Sequence, residues 1–404
     1  MTQSAAQAAS AIHKRAVVAI ATATGSTSLL MNVWFPFLPL YMLQVGAKDE
    51  PAALFWVALG MSAQGVGRLI GGPLWGLLSD RMGRKKMFVR SVYSAALTCF
   101  VLSVINSPWQ VAIALAIQGL LSGFIPAAIA LVSVSVPDAK VRDALNAVSG
   151  AQYLGSAIGP AVGAAMALAF GFRGAIFSSG LLIAAVATAV IFLVPADRVQ
   201  RKESDSAGAA IALPAFKPTP QFMLAILLYF SLFALTTFRS VATPIALKDI
   251  AGANVTEVTG LAFALGGVAS ALGIWILSTR FFRQRRLRSM LAVTCVLTAL
   301  GHLALALSNS AWLYVLAFTV ASFLNASMMP ATNTMIALNV SRERRGTAFG
   351  IGSAAQAIAF MVGPMSAAMF ATVSLKAGFL TVSVVFVARA ALVAFAVREP
   401  AMEK

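Results

Sequence analysis

Charge is scarce in this chain. Only 11% of its 404 residues are Asp, Glu, Lys or Arg, where a soluble protein carries roughly a quarter to cover its surface. A water-facing globular protein is therefore excluded, and the surface must face lipid. Cysteine is nearly missing too. Cys99 and Cys295 are the two present, both inside apolar runs, and neither a disulfide framework nor a metal-ligand cluster can be built from them. No phosphate-cradling G-x-x-x-x-G-K-[ST] loop occurs, which excludes nucleotide hydrolysis of that type. No metal and no other cofactor is expected. Within the apolar segments the scarcest group is the carboxylate. All 13 acidic residues, from Asp49 and Glu50 to Glu399 and Glu403, fall in loops or at segment ends. Proton relays inside membranes ordinarily use a buried carboxylate, and this chain offers none.

What is present is apolar length. Hydrophobic residues make up 59% of the chain. A bilayer-crossing helix needs about 20 mainly apolar residues. Runs of that kind cover 16–43, 52–79, 89–106, 109–135, 145–170 and 174–194, then 221–247, 257–279, 289–307, 312–339, 347–372 and 377–397. The expectation is an all-α membrane protein with twelve spans in two six-helix bundles, 1–194 and 221–404. The polar segment 195–220, with Arg201, Lys202, Glu203, Asp205, Pro214, Pro218 and Pro220, reads as a cytoplasmic linker. The apolar run at the start outlasts a signal-peptide core and is not followed by a cleavage pattern.

The net charge of +17 is a topology signal. Lys and Arg are retained on the cytoplasmic side of a membrane. With the N-terminus inside, the cytoplasmic segments hold 23 of the 30 basic residues, and the opposite face holds Lys48, Arg173, Lys248 and Lys376. Both termini are then cytoplasmic. The excess charge is matched by anionic lipid headgroups, and nucleic acid is not needed to explain it.

The halves repeat one another. At an offset of 204, Pro126 falls on Pro330, Ala151-Gln152 on Ala355-Gln356, Gly159-Pro160 on Gly363-Pro364 and Gly174 on Gly378, while Pro39 and Pro244 match at 205. Two six-helix bundles in parallel repeat form many secondary transporters, with substrate bound near the midplane between them.

Between spans two and three stands Gly76-Leu77-Leu78-Ser79-Asp80-Arg81-Met82-Gly83-Arg84-Lys85-Lys86. Asp80 sits at a helix end, where a carboxylate can pair with basic residues or a helix N-terminus, and Gly83 permits a tight turn. This loop resembles the G-x-L-a-D-R-x-G-R-K-x motif of the major facilitator superfamily, and the resemblance extends over all twelve spans. It implies a conformational switch at Gly76, Asp80, Arg81, Gly83, Arg84 and Lys85. In span five, Gly155, Gly159, Pro160 and Gly163 are similar to the signature of the family's exporters, chiefly proton-coupled drug antiporters. Physically, glycines four apart let a neighbouring backbone approach closely. The last position departs, with Ala164 where Gly is usual. The wording Pro73-Leu74-Trp75-Gly76, Met87-Phe88-Val89-Arg90, Gly123-Phe124-Ile125-Pro126 and Phe37-Leu38-Pro39-Leu40-Tyr41 resembles bacterial multidrug exporters. A second departure lies in span four. Gln118-Gly119 is present, but the arginine that the family's R-x-x-Q-G uses for proton relay is replaced by Leu115.

The embedded charges are positive. Arg68 falls near the midplane, Arg239 nearer the outer surface within snorkelling reach, and Arg389 is expected to be peripheral. By the family's layout, spans one, two, four, five, seven, eight, ten and eleven line a cavity. Asn32, Gln64, Arg68, Gln118, Gln152, Tyr229, Arg239, Asn325 and Gln356 are then its polar candidates. His302, in span nine, reads as structural.

The resemblance thus implies a monomeric bacterial inner-membrane exporter of small amphipathic compounds, working by alternating access and exchanging them for protons. A carrier of organic anions using Arg68 and Arg239 is the rival within transport. A membrane enzyme would need His, Asp, Glu or Cys clustered at one depth, which the placement of these residues argues against. A receptor without transport is the remaining rival.

Overall fold

The computed structural model describes residues 3–194, 218–277, 287–340 and 344–397. Most of the expected linker, 195–217, and the end of the expected eighth span lie outside the described residues.

Every described element is helical. In chain order they are α1 (Gln3–Trp34), α2 (Leu38–Gln44), α3 (Glu50–Met82), α4 (Arg84–Val104), α5 (Pro108–Leu121), α6 (Phe124–Ser135) and α7 (Asp138–Leu193). The second series is α8 (Pro220–Ala251), α9 (Val255–Ile276), α10 (Leu287–Leu307), α11 (Ala311–Leu338), α12 (Arg345–Ala371) and α13 (Leu375–Ala396). The turns between them follow local chemistry. Asp49 accepts from the Ala52 amide at 2.8 Å and Pro51 occupies the first turn of α3, where its missing N–H costs nothing. Thr219 and Pro220 start α8 in the same way, with the Phe222 amide 3.1 Å from the Thr219 hydroxyl.

Among the described residues, ten helical stretches are long and apolar enough to cross a bilayer. Two of them, Asp143–Leu193 with 51 residues and Pro220–Ile276 with 57, are each long enough for two crossings, since one crossing takes about 20 residues. α7 turns back at Gly171, whose φ of 69° is non-helical. Counted this way, the spans number twelve. Span one comprises α1 and α2, span four α5 and α6, and α7 carries spans five and six.

Leu97, Val101, Trp312 and Phe395 are among many large apolar side chains exposed along the helices. In water such a surface would aggregate; in a bilayer it is the lipid face.

The first six spans pack chiefly among themselves, and so do the last six. The internal repeat is visible in the contacts. Gly159 lies against Leu29 and Asn32 of α1, and Gly363 lies against Ala234 and Thr237 of α8, each partner displaced by 205. Loop bridges repeat as well: Arg173 donates to Asn106 at 2.7 Å and Lys376 to Asn309 at 3.4 Å. Across the halves, α3 packs on α12 and α7 on α9.

Candidate functional site

The halves meet around a cavity of about 220 Å³. α1, α3 and α7 supply one wall, with Asn32, Met61 and Ser156 among the lining residues, and α8, α9 and α11 supply the other, with Arg239, Phe263 and Phe318. On the far side, where α2 leads into α3, the cavity is closed by contacts between the halves. Lys248 at the end of α8 pairs with Glu50 at the start of α3 at 2.6 Å. Ala164 and Gly260 touch so closely that no Cβ fits on Gly260. One turn or two deeper, Gly267 rests on the Ala157 backbone. The altered motif position is therefore matched across the interface: the Ala164 methyl occupies room that Gly260 leaves.

The three motif glycines face α1. A Cβ on Gly155 would strike the Gly25 carbonyl, one on Gly159 would come within 2.5 Å of the Leu29 carbonyl, and one on Gly163 would strike the Val33 carbonyl. Gly25 in turn lies on Ala151. This is backbone-on-backbone packing of spans one and five. Pro160, buried inside α7, borders the cavity one residue from Gly159.

Arg239 does not reach for the membrane surface as its depth had suggested. It is 5% exposed, stacks 4.5 Å over the Phe318 ring and donates through Nη1 to the Phe318 carbonyl at 3.4 Å. Phe318, on the adjacent α11, holds the guanidinium inward, so it borders the cavity. Arg389 is likewise not peripheral. It is 4% exposed and 5.3 Å from the Phe386 ring, because α13 packs α10 with that face inward. His302 is on the same seam, stacked on Phe386 with ring centroids 5.0 Å apart, and its Nδ1 lies 2.8 Å from the Thr298 carbonyl.

The other polar candidates divide by place. Asn32 lines the cavity and donates to the Ser28 carbonyl at 2.8 Å. Gln64 and Gln118 do not line it. They bond one another at 2.5 Å, buried between α3 and α5, since Gly60, Gly67 and Gly71 bring α3 against α5. Leu115, standing where the relay arginine was expected, fills the hollow over Gly60, where an added Cβ would come within 2.7 Å of it. Asn325 donates to Thr236 at 2.7 Å, and Tyr229 donates to Gln356 at 3.5 Å; both pairs join helices of the second half. Gln152 is half-buried on α7. Arg68 is exposed and makes no hydrogen bond or ion pair among the described residues. It follows Met61 and Gly65 at helical spacing; Met61 lines the cavity and Gly65 faces Met361 of α12, so Arg68 lies on the face turned toward the other half.

In the switch loop, Gly83 has φ of 97° and ends α3 while starting α4, a conformation that favours glycine. Gly76 is exposed on α3. Arg84 donates to the Ala130 carbonyl of α6 at 3.3 Å, and Lys85 to the Ile191 carbonyl at the end of α7 at 2.7 Å. The side chains of Asp80 and Arg81 lie outside the described residues.

Two residues beside this loop carry more than their wording suggested. Span four breaks at Ser122-Gly123, where Gly123 has φ of 123°, and the break leaves carbonyls of α5 without helical partners. The Trp75 indole donates to the Leu120 carbonyl at 2.7 Å. Arg90 donates to the Leu121 carbonyl at 3.1 Å and stacks 3.6 Å over the Trp75 ring. The signal was Gly123 followed by Pro126, a turn residue and a helix breaker inside an apolar run.

Two helical bundles enclosing an interfacial cavity define a membrane transporter of the two-fold repeat class. The Major Facilitator Superfamily model matches residues 18–294 and 242–404, and the chain belongs to that family, whose members are transporters and not enzymes. It is 30% identical over 345 residues to the multidrug resistance protein MdtG of Proteus mirabilis (strain HI4320), covering 83% of this chain and 84% of that one. Identity to MdtG of Enterobacter lignolyticus (strain SCF1) is 29%, over 89% of this chain and 86% of the relative. The chain thus resembles the multidrug branch. Among solved structures, the nucleoside transporter NupG superimposes with a TM-score of 0.74 at 14% identity, covering 94% of this chain and 98% of that one. A bacterial homologue of the human lysosomal transporter Spinster gives 0.73 at 15%, over 95% and 96%. These two share the fold.

Proposed function

We propose that this protein exports small amphipathic compounds across the bacterial inner membrane by alternating access, in exchange for protons. It acts as a monomer, with both termini and the linker in the cytoplasm and lipids around it. The observation that carries the reading is the cavity between the halves, closed on the far side by the Glu50–Lys248 and Ala164–Gly260 contacts. Such a site loads from the cytoplasm and must open at those contacts to discharge. The resemblance to multidrug resistance proteins supplies the direction and the breadth of substrate.

The far-side contacts suit a gate. A single exposed ion pair contributes little, and small-residue contacts can separate without unfolding a core. The switch loop ties α4 to α6 and α7 through Arg84 and Lys85, so a change at the loop moves the bundle as a body. With no carboxylate among the described cavity residues, Asp80 in the loop remains the residue we assign to coupling.

The test uses purified protein in liposomes with an imposed pH gradient, following a neutral, a cationic and an anionic dye with and without a protonophore. Gradient-driven movement that the protonophore abolishes supports proton exchange. Movement indifferent to the protonophore rules it out.

A further inference from the structure

Among the described residues, Arg239 is the charged one lining the cavity, and nothing acidic lines it with Arg239. An arginine deep in a membrane protein is costly unless water, an anion or carbonyl groups compensate it. Arg239 has little of this. Nη1 reaches one carbonyl at 3.4 Å, near the limit of a hydrogen bond. Nε is buried with no partner. The Phe318 face stabilises the cation from one side, and Arg239 lines the cavity on the other. No carboxylate pairs with it among the described residues.

The surroundings match one kind of ligand. Ser156, Ser240, Ser270 and Asn32 offer small polar contacts, and Phe35 and Phe263 offer apolar ones. A planar guanidinium matches a carboxylate or similar oxyanion with two parallel hydrogen bonds. A volume of about 220 Å³ takes a small acidic head with part of an aromatic or aliphatic body.

We propose that Arg239 binds the acidic head group, a carboxylate or comparably small oxyanion, of an amphipathic compound held between the two halves. The inference rests on the export reading for the fate of that compound, while the binding itself does not depend on it. Arg68, exposed on the same side of α3 as Met61, places a second cation along the way to the cavity.

The experiment measures binding of naphthalene-1-acetate and of naphthalene-1-acetamide, which differ in the charge of the head alone, to the purified full-length protein by calorimetry. The expected result is wild-type binding of the acetate roughly tenfold tighter than the amide. Arg239→Gln brings the two affinities together by weakening the acetate and leaving the amide, and Arg239→Lys retains part of the preference. Arg389→Gln, which removes another buried arginine away from the cavity, keeps the preference. Equal or absent binding of the two probes by wild type overturns the proposal. So does a preference that survives Arg239→Gln, or loss of both probes together in Arg239→Gln and Arg239→Lys. Flux of the same probes in liposomes separates the two readings: selective binding without movement overturns export and leaves Arg239 as a binding residue.

Discussion

The same helix pair is built twice in this molecule, and the copies are packed differently. In the first half, Gly155, Gly159 and Gly163 of α7 all lie on the backbone of α1, with Gly25 reciprocating. In the second half the corresponding positions of α12 are Ala359, Gly363 and Ala367, and Gly363 alone gives a comparable approach to α8. There, Ala359 and Ala367 are fully buried as side chains, and Thr237 reaches the Ala359 carbonyl at 3.3 Å. One pair is held by removing side chains, the other by filling space and adding a hydrogen bond. Without a solvent-driven hydrophobic term between helices in lipid, both rely on close packing. The exporter-like motif therefore marks the tighter copy, and it has a structural cause apart from any role in direction.

That contrast predicts an asymmetric response to single methyl groups. Gly163→Ala should be the most damaging substitution, because its Cβ meets the Val33 carbonyl and backbone cannot yield as a side chain does. A loss of about 3 kcal/mol is expected, read as a fall in thermal midpoint and in dye flux. The matching Ala367→Gly change should cost about 1 kcal/mol or less. Equal effects in the two halves would break the comparison.

Next in size is the contact between halves. Gly260→Ala places two methyl groups in one space against Ala164, which should hold the far side apart and reduce transport several-fold, by about 1–2 kcal/mol of gate closure. A spin-label distance across that side should lengthen. Exchanging the pair, Ala164→Gly with Gly260→Ala, should restore both readings.

Span four and span ten offer a third test. Arg90→Ala removes a charged donor to the Leu121 carbonyl and the stack on Trp75, and should lower stability by about 2 kcal/mol. The position 204 further on is Thr294 of α10, the helix beside span ten, which is the unbroken α11; the Thr294 hydroxyl bonds its own helix at 2.7 Å. Thr294→Ala should change the thermal midpoint little, by about 0.5 kcal/mol. Smallest of all, Glu50→Gln should alter stability by less than about 0.5 kcal/mol, with the difference fading as salt is raised. A salt-independent loss of transport would mean that this pair does more than close a surface.

Much of the architecture was legible in the residues. Twelve spans follow from apolar length, and the repeat follows from prolines and glycines recurring at 204. Both are local or one-dimensional properties, so neither needs a contact map. Gly83 could be placed in a turn because glycine permits backbone that other residues avoid, and its φ is 97°. The cavity candidates fared unevenly because polarity in a span does not say what the side chain meets. Gln64 and Gln118 satisfy each other, whereas Asn32 and Arg239 border the cavity. The stripe Gly60, Gln64, Gly67 and Gly71 follows helical spacing, and read together it would have turned Gln64 toward a neighbouring helix.

Composition and pattern determined that this chain lives in a bilayer, crosses it twelve times and repeats itself, because lipid imposes length and apolarity on every crossing. The tertiary structure decided which arginine faces the cavity and which is packed away. In the sequence, Arg239 is a cavity candidate only through the family's layout and Arg389 reads as peripheral, yet both are buried; what separates them is whether the neighbouring helix offers a wall or an opening. Gly260, more than ninety residues from Ala164, acquires its importance in the same way. Such pairings depend on the rotation of each helix about its axis, which is fixed by the sum of many weak contacts between segments distant in sequence.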